Sequence, residues 1–426
     1  MSVFLGCIAD DFTGATDLGD TLSRNGMSVA QLIGLPSDDI LEKTAGFADA
    51  VIISLKIRSE ARETAVRESL AALDCLRKIG CRQFFWKYCS TFDSTAEGNI
   101  GPVADALMEA LDAQYDVVCP AFPENGRTVY QGRLFVGDRL LEESSMRHHP
   151  LTPMRDSNLV RLMDAQSRRK SALIPFEAVD SGPEAIAGRM SALAAEGFGH
   201  MVCDALNDRH LRSIARASVS LPLLTGGSGV ARGLAADFAA INGRGEGKGL
   251  GLTAPKGPAL VLAGSCSAAT GGQVARFAAD NPFFKLEPLK LDRGAGHLNA
   301  AMTFLKESLS RGQTPLIAST AGPEEVAGIQ NQLSRERAGK IVEEAMAILA
   351  AEAAASGVAR FVVAGGETSG AVVSALGVRG LRFGPSVETG VPLTEAIADK
   401  PLWLVLKSGN FGGADFFSRA LGAGLA

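Results

Sequence analysis

Short apolar runs alternate with longer amphipathic stretches through most of this chain. Val3–Ala9, Met27–Ile33, Ala50–Leu55, Gln83–Tyr88 and Asp116–Pro120 read as buried strands. Between them, Gly14–Asn25, Glu60–Lys78 and Asn99–Ala113 carry helical patterns. In the last, Ile100, Val103, Ala104, Leu107 and Leu111 recur at helical spacing. Strands alternating with helices imply βαβ units and a mostly parallel sheet.

The alternation breaks at residues 122–155, which hold PENGRTVYQGRLFVGDRL and then HHPLTPM. This segment reads as an extended excursion, a hairpin or a long binding loop. Strands resume at Ala172–Phe176, His200–Asp204 and Leu221–Thr225. Residues 242–258, NGRGEGKGLGLTAPKGP, are dominated by glycine and charge and have the composition of a flexible linker. After them come strands at Ala259–Ala263, Pro315–Ser319, Arg360–Ala364 and Leu402–Leu406, with helices over Ala269–Asp280 and Arg335–Ala355. The expectation is a fold of two α/β domains with mostly parallel sheets. They would span residues 1–243 and 258–426, joined by a glycine-rich linker over 244–257.

Composition narrows the class. The 426 residues are 46 % hydrophobic and 21 % charged, ordinary values for a soluble globular protein. The net charge of −5 argues against a dedicated nucleic-acid binder, which carries a basic patch or stripe. No apolar run approaches the ~18 residues of a membrane span. The N-terminus MSVFLGCIADDFTG lacks the basic and apolar regions of a signal peptide. Seven cysteines without a C-x-x-C pair argue against a zinc site or disulfide framework and fit a reducing cytoplasm. The outlying feature is 48 glycines beside 2 Trp and 3 Tyr, a mixture that suits backbone approaching a ligand.

In open α/β sheets ligands bind at the carboxyl ends of strands. The residues following the predicted strands are small, polar or charged: Asp10-Asp11-Phe12-Thr13-Gly14-Ala15, Lys56-Ile57-Arg58-Ser59, Cys89-Ser90-Thr91-Phe92-Asp93-Ser94 and Gly226-Gly227-Ser228-Gly229 in the first half. In the second half they are Gly264-Ser265-Cys266-Ser267, Gly365-Gly366-Glu367-Thr368-Ser369-Gly370 and Lys407-Ser408-Gly409-Asn410-Phe411-Gly412-Gly413. The first set offers carboxylates and cations in Asp10, Asp11, Arg58 and Lys87, which suit a small hydroxylated anion. The second offers glycine and hydroxyls at helix starts, where backbone N–H groups bind phosphate, with Lys407 as a candidate point charge. An acidic polyol in one half and a nucleotide in the other describe a phosphotransferase.

Plainer readings stand beside these. A glycine after a strand is often only a turn, Asp10-Asp11 suits a helix N-cap, and single cations commonly form surface ion pairs. His148-His149 are not metal ligands on this reading, because the five histidines include no helical i, i+4 pair. No G-x-x-x-x-G-K-[ST] loop and no strict G-x-G-x-x-G after a strand is present.

The segments Ile8-Ala9-Asp10-Asp11-Phe12-Thr13-Gly14-Ala15, Lys87-Tyr88-Cys89-Ser90-Thr91-Phe92-Asp93-Ser94-Thr95, Pro120-Ala121-Phe122-Pro123-Glu124-Asn125-Gly126-Arg127 and His149-Pro150-Leu151-Thr152-Pro153-Met154 carry a resemblance. It continues in Leu224-Thr225-Gly226-Gly227-Ser228-Gly229 and Gly365-Gly366-Glu367-Thr368-Ser369-Gly370. In order and spacing they resemble the four-carbon acid sugar kinase family, nearly end to end. The closing Leu406-Lys407-Ser408-Gly409-Asn410-Phe411-Gly412 looks most like its 3-oxo-tetronate kinase branch. The resemblance implies a sugar-acid domain, an ATP domain and an active site in the cleft between them. It places ATP contacts on Ser265, Gly365, Gly366, Glu367, Thr368, Ser369 and Gly409. The implied reaction is phosphorylation of the 4-hydroxyl of a 3-oxo-tetronate. Asp11 or Asp10 would orient or deprotonate that hydroxyl. Arg58 and Lys87 would bind the substrate carboxylate or the transferring phosphoryl group, with Ser90 and Thr91 beside them. Mg2+ would bridge the ATP phosphates.

The partners implied are a small sugar acid and ATP, with no nucleic acid and no membrane, and a homo-oligomer is left open. Within the family the rival is a D-threonate or D-erythronate 4-kinase. From other classes, a non-catalytic sugar-acid sensor would favour an attached DNA-binding module, and an NAD-dependent dehydrogenase would need a dinucleotide fingerprint; the chain shows neither.

Overall fold

The apolar runs of the first 120 residues form strands because helices cover both faces of the sheet they build. In the computed structural model, which describes residues 3–149, 152–241, 251–252, 254–255, 257–398 and 402–424, these are β1 (Leu5–Ala9), β2 (Val29–Ile33), β3 (Ala50–Ser54), β4 (Gln83–Lys87) and β5 (Asp116–Cys119). All residues of β1, β3, β4 and β5 are buried. The chain divides into two compact units, Met1–Gly249 and Leu250–Ala426.

The first unit continues with β6 (Arg127–Tyr130), β7 (Arg133–Val136), β8 (Arg139–Leu140), β9 (Ser171–Ile174), β10 (His200–Cys203) and β11 (Leu223–Gly226). Its main sheet is parallel throughout, in the order β2-β3-β1-β4-β11-β5-β10-β9. The excursion at 122–155 folds in part into a separate antiparallel sheet, β6-β7-β8. Chain order reverses about β1, which lies between β3 and β4. A crevice opens at the carboxyl end of such a reversal.

The second unit contains β12 (Ala259–Ala263), β13 (Phe283–Lys285), β14 (Leu316–Ala318), β15 (Arg360–Ala364), β16 (Gly380–Glu388), β17 (Val391–Ala396) and β18 (Trp403–Lys407). Its order is β13-β14-β12-β15-β18-β17-β16, parallel up to β18 and antiparallel from there. The reversal here lies between β12 and β15. The hairpin β16–β17 is absent from the sequence reading: Gly384, Pro385 and alternating charge give it no continuous apolar run. Val261, Phe277, Trp403, Phe416 and Phe417 centre the core of this unit, and Leu252 and Ala254 pack onto it. The rest of the glycine-rich linker, 244–250 with 253 and 256, lies outside the described residues.

Candidate active site

The carboxyl end of β1 gathers the candidate charged residues Asp10, Asp11, Arg58 and Lys87. Asp10 directly follows β1 and is 4 % exposed. Arg58 grips it with two hydrogen bonds, Nε to Oδ2 at 2.7 Å and Nη2 to Oδ1 at 2.8 Å. Burial pushes the Asp10 carboxyl up from its ordinary pKa, and the Arg58 charge only partly opposes it. Asp11 has a different task. It is the N-cap of the helix Phe12–Arg24, accepting from the Gly14 amide at 2.7 Å and the Thr13 hydroxyl at 3.1 Å. Its side chain keeps 27 % exposure and lies 3.2 Å from Arg58 Nη2. The two adjacent carboxylates therefore differ: Asp10 is locked, and Asp11 faces outward at a positive helix end.

Lys87 ends β4 and is 3 % exposed. Among the described residues its Nζ donates one hydrogen bond, to the Tyr88 carbonyl at 2.8 Å. A buried ammonium so lightly partnered is a ready receptor for an anion. The following turn, Cys89–Phe92, holds Phe92 in the left-handed region at φ 50. Its ring is fully buried against Tyr88 at 5.5 Å, which sustains that conformation. Thr91 donates to Asp93 at 2.6 Å, and Ser90 is half-buried on the same turn.

Two residues outside the sequence-derived site set join this group. Asp17, on the helix Phe12–Arg24, accepts from the Ser228 hydroxyl at 2.5 Å, and Ser228 opens the helix that follows β11. Burial raises the Asp17 carboxyl, and Lys87 is the largest charge opposing the shift. The helical offset of three residues from Gly14 is the one sequence signal for Asp17.

In the second unit three loops meet at the reversal between β12 and β15. The Ser265 amide donates to the Ala364 carbonyl at 3.3 Å, and the Gly365 amide to the Lys407 carbonyl at 2.9 Å. Gly365 stands at φ +125, and a Cβ there would come 3.0 Å from Thr368 Oγ1. A Cβ on Gly409 would come 2.3 Å from Ser265 Oγ, so only glycine lets these two loops touch. Gly366, Glu367, Thr368 and Ser369 form the first turn of the helix Gly366–Ala375. Glu367 is exposed, whereas the Ser369 hydroxyl is buried without a hydrogen-bond partner among the described residues. Ser267 caps the helix Ala268–Ala278 by accepting from the Thr270 amide. Two helix N-termini thus lie beside Ser265, and among the described residues the Gly409 amide donates to no protein acceptor, an arrangement that binds phosphate oxygens.

Lys407 ends β18 as Lys87 ends β4, yet it is engaged differently. It is 1 % exposed, and Nζ donates to Thr270 Oγ1 at 3.0 Å, Ser408 O at 2.9 Å and Gly409 O at 3.0 Å. All three donors of this ammonium are taken by protein. The structure thus brings Asp10, Asp11, Arg58 and Lys87 together at the carboxyl ends of β1 and β4, with Ser90 and Thr91 on the turn after Lys87, and it places Ser265, Gly365–Ser369, Lys407 and Gly409 at the carboxyl ends of β12, β15 and β18.

Comparison with known proteins follows the same division. Residues 5–234 match the family model of a sugar-binding N-terminal domain, and residues 260–417 that of a nucleotide-binding C-terminal domain. A 3-oxo-tetronate kinase from Cupriavidus necator is 52 % identical over 98 % of this chain and 96 % of its own length. One from Salmonella typhimurium is 46 % identical over 98 % of each chain. A crystal structure from Salmonella typhimurium LT2 superposes with a TM-score of 0.90 at 45 % identity, covering 98 % of both chains. One from Haemophilus influenzae gives 0.85 at 40 % identity, covering 99 % of this chain and 100 % of the other. The chain belongs to the four-carbon acid sugar kinase family.

Proposed function

We propose that this protein phosphorylates the 4-hydroxyl of a 3-oxo-tetronate with ATP. The observation that carries the reading is Lys87, a buried ammonium with one protein hydrogen bond, at the strand reversal of the sugar-binding unit. An anionic sugar acid supplies the acceptors it lacks. The relatives named 3-oxo-tetronate kinase, at 52 % and 51 % identity over 98 % of the chain, support that choice of acid.

In this reading Lys87 and the outward edge of Arg58 hold the substrate's carboxylate and the arriving phosphoryl group. Asp10 is spent in orienting Arg58. Asp11 keeps an exposed oxygen and accepts the proton of the attacking hydroxyl. Ser90 and Thr91 bond the remaining oxygens. In the second unit, amides around Ser265, Gly366 and Gly409 bind the nucleotide phosphates, and the unpartnered Ser369 hydroxyl fits a further acceptor there. Phosphoryl transfer asks mainly for such positioning and charge neutralisation. Mg2+ carried on ATP supplies further neutralisation and needs only one or two protein carboxylates. The donor set fits that demand: Glu367 is the carboxylate on the phosphate loop, and among the described residues no group of three His, Cys, Asp or Glu is arranged to hold a metal ion by itself.

The test is identification of the product. After incubation with ATP and a 3-oxo-tetronate, phosphorus NMR should show a monophosphate coupled to the C4 methylene protons. Phosphate at another position, or ATP hydrolysis alone, would overturn the reading.

A further inference from the structure

A cation that ends a strand beside phosphate-binding loops is ordinarily read as a phosphate ligand. The geometry of Lys407 excludes that use in the state seen here. Its ammonium is 1 % exposed, and its three donors reach Thr270 Oγ1, Ser408 O and Gly409 O at 2.9–3.0 Å. The Phe416 ring centroid lies 5.9 Å away on another side. No donor is left for a ligand.

The two carbonyls it gathers belong to consecutive peptides. In a trans peptide the C=O and the following N–H point in opposite directions. Drawing Ser408 O and Gly409 O onto one ammonium therefore turns the Gly409 and Asn410 N–H groups away from it together. Gly409 O is fixed further by Ser267 Oγ at 2.6 Å and Thr270 Oγ1 at 2.9 Å. Among the described residues neither the Gly409 nor the Asn410 amide donates to a protein acceptor. Successive N–H groups aimed the same way form a concave anion site. Ser265 Oγ marks its place, within 2.3 Å of where a Gly409 Cβ would stand.

We propose that Lys407 is a positioning residue: it holds the Ser408–Asn410 backbone so that the Gly409 and Asn410 amides form a two-donor site for nucleotide phosphate oxygens, and it does not itself touch phosphate. The proposal rests on the reading of the second unit as the ATP site. It explains why a lysine is buried among neutral acceptors and needs no carboxylate partner within reach. It also gives a titratable control. Burial pushes the Lys407 pKa down to about 8, with Glu388 opposing. Glu388, on β16, is itself bound by Arg419 from the helix Phe416–Gly422. The helix Ala268–Ala278 presents only the neutral Thr270 and Gln273 to this loop.

The experiment measures ATP affinity by calorimetry, and KM for ATP, KM for the sugar acid and kcat by coupled assay, for wild type and Lys407→Met. Loss of two charge-assisted hydrogen bonds predicts ATP binding weaker by about 100-fold. KM for the sugar acid should stay within about twofold, and kcat at saturating ATP should fall far less than affinity. In the wild type, KM for ATP should rise as pH passes about 8, a dependence that Lys407→Met lacks. Unchanged ATP affinity with a collapsed kcat would overturn the proposal, since it would mean that Lys407 touches the transferring group. If Lys407→Met fails to fold, Thr270→Val and the wild-type pH profile carry the test. Thr270→Val should weaken ATP binding in the same direction, and a flat profile from pH 7 to 9 would contradict the proposal. If wild type binds ATP but phosphorylates no sugar acid, the proposed function fails, and the binding measurements still decide the role of Lys407.

Discussion

Arg58 binds Asp10 through two parallel hydrogen bonds, at 2.7 and 2.8 Å, and leaves Asp11 as the carboxylate with exposed surface. The pair fixes the guanidinium at the strand reversal and separates the two adjacent carboxylates by task. Asp10→Ala leaves a mostly buried guanidinium without its two-bond partner and with only the Asp11 contact at 3.2 Å. It should destabilise the protein by about 3 kcal/mol, the lower end for breaking a buried pair because the Arg58 side chain is 28 % exposed. Denaturant unfolding of the variant against wild type measures this; an unchanged midpoint would show that the pair contributes nothing.

Asp11→Asn should behave in the opposite way. Asparagine caps helices as well as aspartate does, so the helix Phe12–Arg24 and the melting temperature should hold. Loss of the proton acceptor should lower kcat by about 100-fold or more, with substrate KM little changed. A kcat within a few fold of wild type would move that role elsewhere, with Asp17 the next carboxylate at the crevice.

Lys87 offers a sharper contrast between stability and activity. A buried ammonium with a single protein hydrogen bond is costly to the folded state. Lys87→Met removes an ammonium that is costly to bury but also the largest charge opposing the burial of Asp17, so stability should change little while kcat/KM for the sugar acid falls by about 1,000-fold, roughly 4 kcal/mol of lost transition-state interaction. Parallel thermal melts and steady-state kinetics test both halves. A destabilised variant with retained kcat/KM would make Lys87 a structural residue.

A second buried cation governs stability against pH. His200 is fully buried, with Nδ1 at 2.8 Å from Asp116 and Nε2 at 3.2 Å from Asp105. Burial alone lowers its pKa, but the two carboxylates outweigh burial and raise it to about 9. The unfolded value is about 6.5. The folded state therefore holds its proton more tightly, and this stabilisation is complete below pH about 6.5 and is lost as pH rises through about 9. Denaturant midpoints across that window should fall in wild type and fall less in His200→Gln. Parallel slopes would contradict the assignment.

The legible parts of the fold were those decided by local burial. Ala259–Ala263 and Arg360–Ala364 appear as strands at the bounds their apolar runs suggest, because both faces are covered. The β16–β17 hairpin was not legible, since an antiparallel edge with Gly384 and Pro385 needs no continuous apolar run. The site shows the same division. Residues at or just past strand carboxyl ends, such as Asp10, Lys87, Ser265 and Gly365, follow from the rule that ligands meet strand carboxyl ends. Asp17 and Ser228 meet only when two helices pack, a relation that spacing along the chain does not carry. For Lys407 the position was legible but not the direction of its ammonium, which depends on the Ser408 and Gly409 carbonyls.

The acceptor proposed for the sugar-binding unit is a 3-oxo-tetronate. The most direct test of this is ATP consumption by the purified wild-type protein with both 3-oxo-tetronate stereoisomers, D-threonate and D-erythronate in one panel. kcat/KM for one 3-oxo-tetronate should exceed that for D-threonate and D-erythronate by at least about 100-fold, the scale expected when a site built to bond one oxygen pattern meets another. Equal or faster turnover of D-threonate or D-erythronate would contradict it.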